Sequence, residues 1–216
     1  MSVSVDARPL GDSAIVLSLG ESKSKELLAR VHALTRALSA LDLDNVNDVV
    51  PSYLAVTVFY DSLSVPYEEM KRVLLGTCAS MSETSSQPLE NREHQILVRY
   101  DGEDLPAVAE RTGMSVDEVI RIHSSRTYTV DLLGFVPGYA YLSELPVELQ
   151  LPRRQQPRPR VAAGTVAIAG SHTGIYPLDT PGGWHLIGRT EVALFDPLRA
   201  PPALLSPGDS VRFVRE

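Results

Sequence analysis

The stretch from Gly134 to Thr190 restricts the possible folds of this chain more than any other part of it. It contains GFVPGYAYL and, further on, LPRRQQPRPRVAAGTVAIAGSHTGIYPLDTPGGWHLIGRT. Proline removes a backbone donor and fixes φ, so this density of prolines excludes a regular helix. Glycine opens backbone regions closed to other residues, so mixing the two specifies individual turns. Apolar pieces such as Val166-Ala167-Ile168-Ala169 persist between the turns. A disordered linker rarely interleaves β-like runs in this way. The segment therefore reads as a shaped surface of short strands and defined loops.

The rest of the chain divides around it. Val3, Val5 and Ala7 alternate, and the run Ala14–Leu19 follows Gly11-Asp12, which predicts two strands. Leu27, Val31, Leu34, Leu38 and Leu41 recur at spacings of three and four, so residues 23–41 read as an amphipathic helix. Val46–Val50 and Leu54–Tyr60 read as strands, and Pro66 opens a second helix over 66–80. The order ββαββα predicts a small sheet with helices on one face, here assigned to residues 1–82. A Ser-rich polar stretch follows, with 83–93 taken as the linker.

The second unit, 94–216, opens with a strand over His94–Tyr100. Leu105–Thr112 reads as a short helix stopped by Gly113, and Ser115–Glu118 as a capping box for a helix reaching Ser124. Tyr128–Phe135 is an expected strand, and Pro207-Gly208-Asp209 turns into a last one over Ser210–Val214. Many short strands with regular turn signals predict a barrel or sandwich. The overall class is α+β.

Composition excludes several functions. No apolar run approaches the roughly 20 residues of a membrane span, so no membrane association is expected. The N-terminus lacks a basic n-region followed by an h-region, which speaks against a secretory signal. The net charge of −7 argues against a general nucleic-acid binder. Cys78 is the single cysteine, which rules out an internal disulfide framework and any cysteine-based zinc site, so no metal is expected and a reducing cytoplasm fits. GxGxxG, the P-loop, GxSxG and HExxH are all absent.

The candidate residues each carry two readings. His123 ends the Ser115-capped helix, where it either complements the helix dipole or points a polar group at a barrel mouth. Phe135, Tyr139 and Tyr141 flank Pro137-Gly138 and are either core or the wall of a small-ligand site. Arg153, Arg154, Arg158 and Arg160 lie in a proline-broken run that is either a solvated loop or a display of guanidinium groups for an anion. Gly164–Gly170 reads as a glycine-bounded strand and Thr173–Pro177 as a tight connection after it. Thr180–Trp184 brings the only tryptophan beside two glycines, a density expected where backbone approaches backbone or ligand. Arg189, in an apolar setting, needs a carboxylate or carbonyl partner.

From about His94 to Val214 these blocks resemble the KipI / allophanate hydrolase subunit 1 family, the group of B-type 5-oxoprolinase subunits (PxpB). The resemblance is carried by Leu133–Gly138, Leu151–Arg154, Gly164–Gly170, Thr173–Pro177, Pro181–Trp184 and Ile187–Thr190. It implies a cyclophilin-like β-barrel behind a small N-terminal α/β sandwich. It implies a complex with a KipA-like (PxpC) subunit and a PxpA-like subunit, in which ATP drives opening of the 5-oxoproline lactam to glutamate. The barrel fold does not itself imply prolyl isomerase activity. Alternatives within the resemblance are a module inhibiting a sensor histidine kinase and an allophanate or urea pathway subunit.

For lactam opening, which needs a carboxylate anchor and oxyanion donors, the chain offers Arg153, Arg154 and Arg189 as candidate anchors for a small-molecule carboxylate. Ser171, Thr173 and Tyr176 become hydrogen-bond donors, Phe135 and Tyr141 a wall, and His123 a proton carrier, with His123 and Arg154 as the catalytic pair. No nucleotide site is evident in the chain, so ATP would be used at a site shared with a partner. His172 and Ala140 stand where the family pattern has Gln and Pro, and Ala162-Ala163 replaces Pro-Ala. His172 would alter the charge of a pocket near neutral pH if it lines one.

Overall fold

The computed structural model describes residues 5–80 and 92–216. The chain divides into two compact units, Met1–Leu89 and Glu90–Glu216. Val3 and most of the expected linker, 83–91, lie outside the described residues.

In the first unit β1 (Asp6–Pro9), β2 (Ala14–Ser18), β3 (Val46–Pro51) and β4 (Ala55–Tyr60) form one antiparallel sheet in the order β1-β2-β4-β3. The helices are α1 (Lys25–Ser39) and α2 (Tyr67–Ser80). Ser24 caps α1 by accepting the Leu27 N–H at 3.1 Å, satisfying one donor that the first turn leaves open. The stripe Leu27, Val31, Leu34 and Leu38 packs with Val56, Val58 and Tyr60 of β4 and with Met70 and Leu74 of α2. The expected stripe runs one turn too far. The helix ends at Ser39, and Leu41 beyond it is 41% exposed.

The second unit is a mixed barrel. Its strands are β5 (Glu93–Val98), β6 (Thr127–Leu133), β7 (Ala140–Ser143), β8 (Arg158–Val161), β9 (Thr165–Ala169), β10 (His172–Ile175), β11 (Thr180–Gly182), β12 (His185–Arg189) and β13 (Ser210–Arg215). Seven of them pair in the order β12-β9-β10-β7-β6-β13-β5, while β8 and β11 form a separate ribbon. Only β13 with β5 is parallel among these pairs. The two outer strands meet through Arg99, just after β5, and Arg189, which exchange N–H···O bonds of 2.9 Å in both directions. That seam closes the sheet. It needs Gly188, because a Cβ there would lie 2.7 Å from the Arg99 carbonyl oxygen.

Inside the barrel Ile96, Val98, Tyr128, Val130, Leu142, Val166, Ile168, Ile187, Val211 and Phe213 form one core. The helices α3 (Leu105–Thr112) and α4 (Val116–Ser124) add Val108, Val119 and Ile120 to it. Burying each such side chain contributes roughly 1.5–3 kcal/mol before entropy is counted. Both halves of the Ser115–Glu118 capping box form. One sequence expectation fails here. Thr173–Ile175 is not a connection but part of β10, paired residue for residue with β9, and the tight turn lies at Gly170-Ser171 instead. No described helix is long and apolar enough to cross a membrane.

Candidate active site

Strand alternation sorts the candidates onto two faces of the barrel wall. On β9, Val166 and Ile168 point to the core, while Ala167 and Ala169 join an outer cluster. On β7, Ala140 and Leu142 point in, and Tyr141 packs on the outer cluster together with Tyr139. The small alanines of β9 leave room for rings. Tyr139 meets Tyr141, Tyr176 and Trp184 edge-on at 5.1, 5.4 and 5.8 Å, the spacing that ring quadrupoles favour. Tyr141 lies 5.9 Å from Trp184 and 6.0 Å from His172. The glycine density is part of this packing, since a Cβ on Gly182 would sit 2.2 Å from the Tyr176 hydroxyl.

Phe135 stands at the rim, 59% exposed and 5.6 Å edge-on from Tyr139. It ends outside β6, with φ 70, in a γ-turn where the Val136 N–H reaches the Gly134 carbonyl at 2.9 Å. A non-glycine residue at positive φ in such a turn is strained, and strain of this kind gathers at functional sites.

The arginine run is neither simply solvated nor freely displayed. Arg154 Nη1 and Arg158 Nη2 both donate to Asp104 Oδ1, at 2.9 and 2.7 Å. The other Asp104 oxygen accepts the Leu186 N–H at 2.8 Å. Glu103 pairs with Arg158, and Arg160 with Asp179. Arg153 is exposed and has no hydrogen bond or ion pair to another described residue; its charge is felt by Tyr176. The Arg154 backbone N–H bonds to the Gly183 carbonyl at 2.8 Å, so this pair of arginines flanks the Trp184 side of the wall.

Three sequence-assigned site residues lie elsewhere. His123 does not face the barrel mouth. It is wholly buried, stacked 4.6 Å from Phe213, with Nδ1 2.8 Å from the Tyr100 hydroxyl and Nε2 2.9 Å from Thr173 Oγ1. Burial pushes its pKa down to about 3, so it is a neutral core imidazole. Thr173 faces the same interior and donates to the Ala167 carbonyl at 3.1 Å, so it offers no hydroxyl to a ligand. Arg189 pairs with Thr165, at the end of β9 opposite Ala169 and His172. Five residues of strand place it about 16 Å along β12 from Trp184. There it bridges Asp101 at 2.8 Å. Tyr176 does belong to the outer cluster; burial raises its pKa, so its proton stays on the oxygen. Ser171 lies half-buried beside the cluster, its hydroxyl 3.3 Å from His172 Nδ1.

Asp131 is the residue that sequence reasoning missed. The register of β6 against β7 slips between Val130 and Leu132, leaving Asp131 as the extra residue of a bulge. Bulges re-aim a side chain and are frequent beside active sites. The carboxylate is buried, accepts from the Ser143 hydroxyl, and lies 3.4 Å from His172 Nε2. A carboxylate inside the apolar run Tyr128–Leu133 was the available signal, because aspartate is depleted in strands and rarely buried unpaired. Among the described residues no cluster of three or more His, Cys, Asp or Glu side chains could hold a metal ion.

Residues 5–205 match the family model described as carboxyltransferase domain, subdomain C and D. A B-type 5-oxoprolinase subunit from Bacillus subtilis (strain 168) is 38% identical over 228 residues, covering 100% of this chain and 94% of that protein. Another, from Escherichia coli O157:H7, is 41% identical over 209 residues, covering 95% and 93%. The crystal structure of TTHA0988 superposes with a TM-score of 0.84 at 42% identity. It covers 94% of this chain, which spans only 40% of the TTHA0988 chain.

Proposed function

The chain belongs to the carboxyltransferase-domain family of subdomains C and D, and within it to the group of B-type 5-oxoprolinase subunits, and from that membership we propose that it is one subunit of an ATP-dependent 5-oxoprolinase. The complex would open the lactam of 5-oxoproline to L-glutamate. The observation that carries this reading is the whole-chain likeness to relatives of that name.

The chemistry explains why one subunit would not suffice. An unstrained lactam is a poor electrophile. Phosphorylation of its oxygen by ATP makes the carbon attackable by water and gives phosphate as leaving group. Such a route needs a carboxylate anchor, donors for developing oxyanion charge and a nucleotide site. The outer face supplies the first two kinds of group. Arg153 is a guanidinium with no internal partner among the described residues, and Arg154 lies beside it, held by Asp104. Tyr176 and Ser171 carry hydroxyls, and Tyr139, Tyr141 and Trp184 form a wall for the ring methylenes. The nucleotide would be bound by partner subunits of the KipA-like (PxpC) and PxpA-like kinds.

The test is 5-oxoproline-dependent release of phosphate and glutamate by this chain co-expressed with those two subunits, each omitted in turn. Glutamate formation that disappears without this chain is the expected result. Formation unaffected by its omission would refute the reading.

A further inference from the structure

The pair Asp131 and His172 has a polarity that the rest of the wall lacks. Nε2 of the imidazole faces the buried Asp131 carboxylate at 3.4 Å. A bare nitrogen lone pair turned toward a carboxylate is repelled, whereas an N–H is attracted, so the proton of the neutral ring belongs on Nε2. The carboxylate cannot turn away. Strand alternation after Val130 turns it to the outer face, and the Ser143 hydroxyl donates to its other oxygen. Nδ1 is thereby left as the acceptor, with Ser171 Oγ 3.3 Å away as its donor. The order Asp131, His172, Ser171 fixes the direction of every donor in the chain. It ends in the only hydroxyl of the three residues, which is half-buried and adjoins His172, whose ring lies 6.0 Å from Tyr141.

We propose that Asp131 is a positioning residue that holds His172 as the Nε2–H tautomer, so that His172 Nδ1 and Ser171 Oγ present an acceptor to the N–H of a bound amide. This inference rests on the reading of the chain as a lactam-opening subunit, because it supplies the partner for the lactam N–H. The arginines of the wall are donors only and cannot provide one, and the Tyr176 oxygen already accepts from the Trp184 backbone. A Gln at position 172, the residue of the resembled family pattern, can turn its amide to give the same acceptor without help from Asp131. His172 cannot, because its ring nitrogens are exchanged in role only by moving the proton.

The first measurement is nitrogen-15 chemical shifts of the five histidines in the full chain, with His172 assigned by its loss in His172→Gln. The expected result is a protonated Nε2 and a bare Nδ1, with Asp131→Asn moving the proton toward Nδ1. A proton on Nδ1 in the wild type, or unchanged shifts in Asp131→Asn, would overturn the proposal.

The second is turnover by the assembled complex. Asp131→Asn should raise KM for 5-oxoproline about 10- to 100-fold, the loss of one buried hydrogen bond. Asp131→Asn combined with His172→Gln should recover to within a few-fold of wild type. Failure of the double variant to recover, with its thermal unfolding unchanged, would show that Asp131 acts only on structure. Absence of turnover in the wild-type complex would instead refute the functional reading, and the nitrogen shifts would still decide the tautomer.

Discussion

Replacing His123 by Gln separates a core histidine from a catalytic one by its pH signature. The imidazole is wholly buried, and burial depresses its pKa to about 3. In the unfolded chain it titrates near 6.5. Between those values the unfolded state binds one more proton than the folded state. Stability is therefore complete above about pH 6.5 and falls by about 1.4 kcal/mol for each unit below it. Gln has no such proton. At pH 7.5 it costs about 2 kcal/mol, through a poorer fit against Phe213 and weakened bonds to Tyr100 and Thr173. As the pH drops to 5 the wild type loses about 2 kcal/mol that the variant keeps, so the gap between them closes. Other groups titrate equally in both proteins and cancel in the difference. Urea titrations at several pH values would follow Trp184, the only tryptophan, buried among Tyr139, Tyr141 and Tyr176 of the barrel unit. A gap that stays constant or widens toward low pH would refute the assignment of a neutral buried imidazole.

Three further outcomes are expected. Asp104→Ala strands the Arg154 guanidinium and the Leu186 N–H and leaves Arg158 with Glu103 alone, and should lower stability by about 3 kcal/mol in the same urea assay. Arg153→Ala should leave the thermal midpoint within about a degree, since the side chain is exposed. In the assembled complex it should raise KM for 5-oxoproline at least about tenfold, as loss of a charge-assisted bond does. Gly182→Ala forces its new methyl against Tyr176, which is 1% exposed, and should cost about 1–3 kcal/mol in stability as well as turnover.

Elements with strong local signals are legible in the sequence. The stripe Leu27, Val31, Leu34 and Leu38 and the Ser115–Glu118 capping box need only neighbours within a few residues. The Gly/Pro segment reads as strands and turns, and the structure has them. The side on which its residues lie is not legible, because in a short strand that depends on register, which distant partners set. The stretch from His172 to Ile175 shows why. Thr173 and Ile175 face the core while His172 and Gly174 face outward, yet a glycine and two polar residues give no alternation to read. Sequence reasoning consequently places Thr173 with Ser171, and His123 with them, although the Thr173–His123 bond lies on the inner side of the wall. Asp131 escapes for a related reason. Its partners, Ser143 and His172, lie on two other strands, β7 and β10, which no local pattern in β6 announces.

The seam that closes the barrel also sets an order of events during synthesis. Strand β5 is made first in its unit, yet its partners are β13 on one side and, through Arg99, the end of β12 on the other. Arg92 and Asp209, which bond beside that first strand, are 117 residues apart. A ribosome adding about 5–20 residues per second leaves β5 unpaired for several seconds at least. Such distant closures also make folding intrinsically slow. Through that interval Ile96 and Val98 have no finished core to enter, so the nascent barrel should lean on chaperones until its last strand emerges.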